Sequence, residues 1–190
     1  MKTLAIFASG NGSNCENIIK YFANNADINV GLVLCNKPDA PVVERAKRLG
    51  VKTVVMPKDQ FLRQDRLLPV LAAEHIDFIV LAGFLLIIPS FLISAYSHRI
   101  INIHPSLLPK HGGKGMWGHH VHEAVKVAGD TETGMTVHWV SETVDGGAII
   151  AQFSTPLSPD DTPDDIAARE HELEMKHFPQ VIEQVLLGNA

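Results

Sequence analysis

The side chains best suited to chemistry lie in residues 101–110, INIHPSLLPK. Asn102 and His104 alternate with isoleucines, so in a strand both side chains leave the same face. Pro105 lacks an N–H donor and ends the strand directly after His104. An amide beside an imidazole that titrates near neutral pH is suited to transfer of an acyl group or a proton. A strand-end histidine bonded to a backbone carbonyl is an equally open interpretation of this decapeptide.

A third candidate, Asp145, belongs to the sequence VDGG. It lies between an alternating stretch that begins at Gly134 and a second stretch, AIIAQF, and the two predict a pair of strands joined around Asp145. Aspartate followed by glycine is common in ordinary turns, so the turn sequence by itself favours a structural role. A catalytic role for Asp145 therefore depends on what surrounds it.

A glycine-rich loop follows the first apolar segment, TLAIFA at residues 3–8, and leads into an amphipathic segment. This is the pattern of a strand, a tight turn and a helix, with Ser13 or Asn14 as the expected helix cap. The free N–H groups and the positive dipole end of such a helix suit a phosphate. The loop is neither GxGxxG nor GxxxxGK[ST], so no dinucleotide or nucleoside triphosphate is indicated. Phosphate binding and a purely structural turn both stay open.

Short apolar segments and helical segments alternate through residues 1–100. This alternation predicts an α/β fold with an open, mostly parallel twisted sheet and helices on both faces. Residues 60–75 predict one helix, with a kink or an early start at Pro69. We expect a single domain over residues 1–190, with a phosphate-binding βα half at 1–100 and a catalytic and C-terminal half at 101–190.

In the C-terminal part of the chain, the spacing of apolar residues changes from helical to alternating. From Gly134 to Phe153 the pattern alternates as in strands, which predicts an antiparallel element after the parallel sheet. A final helix is expected to begin after Thr162, as N-cap, with Pro163 in its first turn. This helix is expected to run to Pro179, before a short amphipathic end.

Composition restricts the kind of protein this is. The chain has 190 residues, 46% of them hydrophobic, which suffices for one sizeable core. The net charge of −5 argues against a nucleic-acid or membrane footprint. Two cysteines make a disulfide framework improbable, and no stretch has the pattern of a membrane span or a signal peptide. We expect a soluble, cytoplasmic protein.

Two further segments have side chains suited to binding. Residues 83–89 are apolar where a loop is normally polar, so they either lie under a helix or line an apolar pocket. His119 and His122 are spaced to share a helical face, as metal ligands do. No cysteine or second set of carboxylates completes such a site, so no metal is expected.

Four motifs in this order carry a family resemblance: GNGSN at 10–14, AGF at 82–84, NIHPSLLP at 102–109 and GMTVHWVSETVDGGAII at 134–150. Together they resemble the phosphoribosylglycinamide formyltransferases, Rossmann-like, folate-dependent enzymes of purine synthesis. The resemblance extends from about residue 5 to residue 174. The related methionyl-tRNA formyltransferases carry an additional C-terminal domain and the formyltetrahydrofolate hydrolases an N-terminal regulatory domain, so neither is expected here.

The resemblance implies that Asn102, His104 and Asp145 form a catalytic trio. The co-substrate 10-formyltetrahydrofolate would donate its formyl group to the amine of 5-phosphoribosylglycinamide. Asn102 and a protonated His104 would stabilise the oxyanion that forms on attack. Asp145 would assist proton transfer and raise the imidazolium fraction of His104.

The resemblance also assigns binding residues. The substrate phosphate would bind at Gly12, Ser13 and Asn14, and the ribose hydroxyls at Glu174. The folate would contact Leu85, Leu86, Ile87, Ile88, Asn102, Val140 and Val144. A monomer or homodimer acting on small molecules is expected. Formyl transfer to another amine, such as an amino sugar, and noncatalytic folate binding are the alternatives.

Overall fold

The computed structural model describes residues 1–188. Among them, the strands are β1 Lys2–Ala8, β2 Ile28–Cys35, β3 Thr53–Val55, β4 Phe78–Leu81, β5 Ile100–His104, β6 Glu132–Trp139 and β7 Ile149–Pro156. The helices are α1 Ser13–Phe22, α2 Pro41–Arg48, α3 Lys58–Phe61, α4 Gln64–Ala73, α5 Ser90–Ala95, α6 His119–Ala128 and α7 Pro163–Leu186.

The strands form one sheet in the order β3-β2-β1-β4-β5-β6-β7. Strand β1 pairs in parallel with both β2 and β4, and β2 pairs in parallel with β3. At the other end, β6 and β7 are antiparallel. The predicted fold class is therefore confirmed, including the antiparallel C-terminal element and the final helix.

The chain divides into two compact units, Met1–Ile101 and a second unit that begins at Asn102. The division falls inside β5. The expected single domain over residues 1–190 stays a prediction, and its last two residues lie outside the described part of the chain.

In the first unit, the glycine-rich loop begins α1 differently from the expectation. The N-cap is Gly12, and no side chain caps the helix, so the prediction of Ser13 or Asn14 as the cap was wrong. Gly12 has φ +82, and a Cβ on it would lie 2.6 Å from Cβ of Val42. The left-handed backbone and the close approach of α2 thus set the start of this helix.

The segment that predicted one helix over residues 60–75 contains two, α3 and α4. Arg63 lies between them in an extended conformation, with φ −106 and ψ 117. Pro69 lies inside α4. The break therefore falls before Gln64 and not at the proline.

In the second unit, α7 begins as predicted. Thr162 accepts a hydrogen bond from the backbone N–H of Asp165, whose side chain accepts from the Thr162 N–H, and together they form a capping box. The predicted end at Pro179 was wrong, since the helix continues to Leu186. Buried side chains on both sides of the proline, such as Phe178 and Ile182, keep the helical spacing, and their packing outweighs one missing hydrogen bond.

None of the helices within residues 1–188 combines the length and the apolar character needed to cross a membrane.

Candidate active site

The second unit brings the three predicted catalytic residues together. Strand β5 ends with Asn102 and His104, and His104 is only 4% exposed. Asp145 lies in the turn between β6 and β7, with a left-handed φ of +54. His104 Nδ1 lies 3.6 Å from Asp145 Oδ2. Asn102 joins them through a fourth residue, His138.

His138, on β6, connects the amide to the carboxylate. Its Nδ1 lies 2.9 Å from the carbonyl oxygen of Trp139, which can only accept, so Nδ1 carries a proton. In the neutral ring Nε2 then accepts from Asn102 Nδ2 at 3.0 Å. The same Nε2 lies 3.6 Å from Asp145 Oδ1. His138 was not predicted as a site residue, and the available signal was a buried histidine among the apolar and hydroxyl side chains of β6.

The second ring nitrogen of His104 is also engaged. Nε2 donates to the carbonyl oxygen of His111 at 2.8 Å, which leaves Nδ1 facing Asp145. Burial lowers the pKa of His104, while the charge of Asp145 and the His111 carbonyl raise it by less. Asp145 thus acts in the expected direction, but burial outweighs it, and the resting His104 is neutral at pH 7 instead of protonated.

Asp145 is ionised at neutral pH. Burial by itself would raise its pKa, but the contact with His138, the charge of His104 and the amide of Gly113 together lower it below the ordinary value. The cluster therefore combines the Asp145 carboxylate, the imidazoles of His104 and His138, and the amide of Asn102.

The turn that carries Asp145 packs closely against the end of β6. A Cβ on Gly147 would lie 1.7 Å from the carbonyl oxygen of Trp139, so only glycine fits there. The backbone N–H of Trp139 donates to the Ala148 carbonyl at 2.9 Å, and the Gly146 N–H donates to Thr143 at 3.1 Å. These close contacts hold the carboxylate beside the two histidines.

Residues 111–113 close the cluster through their backbone. The carbonyl of His111 accepts from His104, and the N–H of Gly113 donates to Asp145 Oδ2 at 2.9 Å. The segment is held in turn by Asp130, whose Oδ2 lies 2.7 Å from His111 Nε2. The Nε2–H of His104 and the Oδ2 of Asp145 are therefore already hydrogen-bonded to the backbone in this structure.

Thr136 fixes the loop that follows His104. Its buried hydroxyl donates to the Ser106 carbonyl at 2.6 Å and accepts from the Leu108 N–H at 3.0 Å. It also accepts from Gln152 Nε2 at 2.9 Å. One hydroxyl on β6 thus connects this loop with the neighbouring strand β7.

Glu174, the predicted ribose ligand, lies on α7 and is 8% exposed. Its Oε2 is 3.2 Å from Nδ1 of His171, and this hydrogen bond raises the pKa of His171. The Glu174 side chain is therefore held by at least one hydrogen bond, from His171.

In the first unit, the predicted phosphate residues lie at the start of α1. Gly12 and Ser13 are half-buried and Asn14 is buried. The preceding Ser9 donates to Asn36 Oδ1 at 2.6 Å and accepts from the Leu85 N–H at 2.9 Å. These bonds connect the glycine-rich loop to the apolar loop after β4.

The predicted folate residues differ in exposure. Leu85 and Ile87 are 43% and 62% exposed, Leu86 is half-buried, and Ile88 is buried. In the second unit, Val140 is half-buried and Val144 is 40% exposed.

The two histidines considered as metal ligands do not converge. His119 is exposed and pairs with Glu123 at 3.4 Å, whereas His122 is buried. Over residues 1–188 no group of three or more histidine, cysteine, aspartate or glutamate side chains could hold a metal ion.

A family model described as formyl transferase matches residues 2–182. A phosphoribosylglycinamide formyltransferase of Bacillus subtilis is 39% identical over 191 residues, covering 98% of this chain and 95% of the relative. The chloroplastic enzyme of that name from Arabidopsis thaliana is also 39% identical, and this chain spans 64% of its length, less than two thirds. The crystal structure of a phosphoribosylglycinamide formyltransferase from Streptococcus pneumoniae TIGR4 aligns with a TM-score of 0.86 at 38% identity, covering 97% of this chain and 99% of that one.

Proposed function

The chain belongs to the formyl transferase family, and we propose that it transfers the formyl group of 10-formyltetrahydrofolate to the amine of 5-phosphoribosylglycinamide. Relatives with the corresponding name match it over nearly its whole length. The observation that carries the chemistry is the cluster of Asn102, His104, His138 and Asp145, in which donors and a carboxylate converge within one unit. The product, formylglycinamide ribonucleotide, belongs to de novo purine synthesis.

The oxyanion formed by amine attack needs hydrogen-bond donors. Asn102 uses one amide hydrogen on His138 and keeps a second for the formyl oxygen. His104 supplies its Nε2–H once the formyl oxygen replaces the carbonyl of His111. A neutral imidazole is an adequate electrophile at such a position, because preorganised donors stabilise developing charge without a formal charge of their own.

The attacking amine must lose a proton and the folate nitrogen must gain one. Asp145, ionised at neutral pH, accepts the proton directly or through water and returns it to the leaving nitrogen. Nδ1 of His104, which carries no proton in the resting state, lies 3.6 Å from this carboxylate. It can therefore share the proton that Asp145 accepts from the amine.

No covalent enzyme intermediate is needed. Both cysteines are buried, and burial raises the pKa of Cys15 to about 12, which makes its thiol a poor nucleophile. Direct transfer between the two bound substrates is the simplest scheme for the residues present, and it requires no metal.

The binding assignments are part of this proposal. The phosphate binds at the start of α1, on Gly12, Ser13 and Asn14, where free backbone N–H groups suit an anion. Glu174 accepts from the ribose hydroxyls. The proposed folate contacts are Leu85, Leu86, Ile87, Ile88, Asn102, Val140 and Val144.

The remaining proposals concern the protein as a whole. It acts in the cytoplasm on small molecules, without a nucleic-acid partner, as a monomer or homodimer and as a single domain.

The test is to mix purified protein with 10-formyltetrahydrofolate and follow deformylation by absorbance, with and without 5-phosphoribosylglycinamide. Turnover that depends on the amine and gives stoichiometric formylated product is expected. Turnover without the amine would indicate hydrolysis instead. Turnover only with a different amine, such as an amino sugar, would also contradict the proposed acceptor.

A further inference from the structure

Glu170 places a carboxyl group at a buried position that an apolar side chain would normally occupy. It lies on α7, one turn before Glu174, and is 3% exposed. The two glutamates continue a buried stripe whose neighbouring members are Ile166 and Phe178. Two ionised carboxylates in such a place would repel each other with little solvent to screen them, so their protonation states must differ.

A proton between the two side chains resolves this conflict. Glu170 and Glu174 are both buried one turn apart on α7, which puts their carboxyl groups within reach of each other, and a hydrogen bond between two carboxyl groups requires one of them to be the neutral acid. Burial raises the pKa of Glu170 well above its ordinary value, and the charge of Glu174 adds to this effect. Glu170 therefore keeps the proton at neutral pH and donates it, and Glu174 is the accepting carboxylate.

The groups around Glu174 agree with this assignment. His171 lies on its other side, with Nδ1 3.2 Å from Oε2. His122, on the neighbouring helix α6, is 6% exposed, and burial lowers its pKa despite the charge of Glu174. His122 thus does not neutralise the carboxylate, and the hydrogen bonds from Glu170 and His171 hold it instead.

The position of Glu170 has a cost in stability. Its Oε1 is fully buried and has no hydrogen-bond partner. An unpartnered buried oxygen destabilises a folded protein, and an apolar side chain of similar size would avoid this. A packing role therefore does not account for a carboxyl group here, whereas a donor aimed at Glu174 does.

We infer that Glu170 is a positioning residue, which as a neutral acid donates a hydrogen bond to Glu174 and, together with His171, fixes the Glu174 carboxylate for two neighbouring hydroxyl groups. A carboxylate accepts from two adjacent hydroxyls when its plane is fixed, and the ribose of the acceptor supplies such a pair. The inference rests on the proposed function in so far as Glu174 binds that ribose.

Two substitutions separate the donor from the bulk of the side chain. Glu170→Gln keeps a donor and the shape, and Glu170→Met keeps the size and removes the donor. In Glu170→Met, KM for the ribonucleotide should rise about tenfold, the amount expected for one hydrogen bond to a charged group, with kcat and KM for the folate nearly unchanged. Glu170→Gln should restore the KM of the unmodified protein to within about twofold, because its amide N–H replaces the acid proton. Glu172→Gln, on the exposed side of α7, is the matched control.

A general structural defect would give a different pattern. Removal of an unpartnered oxygen should leave the melting temperature of Glu170→Met unchanged or higher, so a rise in KM does not reflect unfolding. An unchanged KM in Glu170→Met, or an equal loss in both Glu170 variants, would overturn the inference.

Two measurements test the inference without turnover. Infrared spectra at neutral pH should contain a carboxylic-acid carbonyl band that Glu170→Gln removes and Glu172→Gln keeps, and the absence of this band in the unmodified protein would overturn the assignment. Calorimetry with ribose 5-phosphate should give weaker binding to Glu170→Met only. If formyl transfer fails but this binding pattern holds, the proposed function is wrong and the positioning role stands. If ribose 5-phosphate does not bind to the unmodified protein, the positioning role is overturned.

Discussion

At the scale of single residues, two lowered pKa values decide where the charge lies. Asp145 is ionised and His104 is neutral at pH 7, because the surroundings favour the carboxylate while burial disfavours the imidazolium. The proposed base for proton transfer is therefore ionised before substrates bind. In the proposed mechanism, His104 contributes a hydrogen-bond donor and no charge.

Removal of this base tests its role directly. Asp145→Asn keeps the size of the side chain but removes the proton acceptor, so kcat should fall about 100-fold or more. Folate binding, measured by calorimetry, should persist because no folate contact depends on the charge. Glu142→Gln, an exposed change in the same connection, serves as the control. Full turnover in Asp145→Asn would contradict the proton-transfer role.

At the scale of elements, Thr136 and Thr133 on β6 allow a matched test of what side-chain hydrogen bonds contribute to stability. Both side chains are buried, but Thr136 makes three hydrogen bonds, whereas the Thr133 hydroxyl has no partner. Thr136→Val should lower the free energy of unfolding by about 2 kcal/mol, since it leaves buried donors unpaired. Thr133→Val should have no effect or should stabilise slightly. Urea unfolding measures both, and equal effects would contradict the assigned hydrogen bonds.

Asp130 provides a test of how residues 111–113 are held. Asp130→Asn weakens the hydrogen bond to His111 and removes the ion pair to Lys110, so the segment should open more often. Hydrogen exchange at the Gly113 amide, which donates to Asp145, should become about tenfold faster for a loss of about 1.4 kcal/mol. Glu123→Gln changes an exposed carboxylate on α6 that contacts His119 and His120, and it should leave this exchange unchanged. Slow exchange at Gly113 in Asp130→Asn would mean that the ion pair does not hold the segment.

The sequence contained the local parts of this arrangement. The alternation around Asn102, followed by Pro105, predicted two polar side chains at a strand end, and the alternation of strands and helices predicted the parallel sheet. His138 was not predictable in the same way, because its partner Asn102 is 36 residues away. Glu170 was missed because charged residues of a helix usually face solvent. The roles assigned to the site residues stay predictions.

The wrong predictions also have physical causes. Pro179 was expected to end the last helix, but the buried side chains beyond it continue the helical spacing. The cap of α1 was expected to be a side chain, but the approach of Val42 leaves room only for a glycine backbone. In both cases packing between elements outweighed a local preference.

At the scale of the whole molecule, histidines whose pKa is lowered contribute to how stability responds to acid. Burial lowers the pKa of His104, His122 and His177. Between these lowered values and the ordinary value of 6.5, each of these three histidines binds more protons in the unfolded chain than in the folded one, whereas Glu170, whose pKa is raised, does the reverse. The three histidines should therefore decrease stability as the pH falls below about 6.5, against the opposing contribution of Glu170.

His122→Phe tests this response because it removes one of the buried titrating rings. The decrease in the urea midpoint between pH 7.5 and pH 5.5 should become smaller in this variant, even if its stability at pH 7.5 differs from that of the unmodified protein. An unchanged dependence on pH would show that His122 does not titrate differently in the folded and unfolded states.

The backbone of residues 111–113 has one more consequence, for the fate of the one-carbon unit. Water is far more abundant than any amine, and a formyl donor bound alone is exposed to it. In the resting arrangement His104 has already given its donor to the His111 carbonyl, and one Asp145 oxygen is taken by Gly113. Under the proposed roles, a water molecule that arrives early lacks the His104 donor and finds one oxygen of the base already bonded, so we expect the one-carbon unit to be lost to solvent more slowly until the segment moves aside.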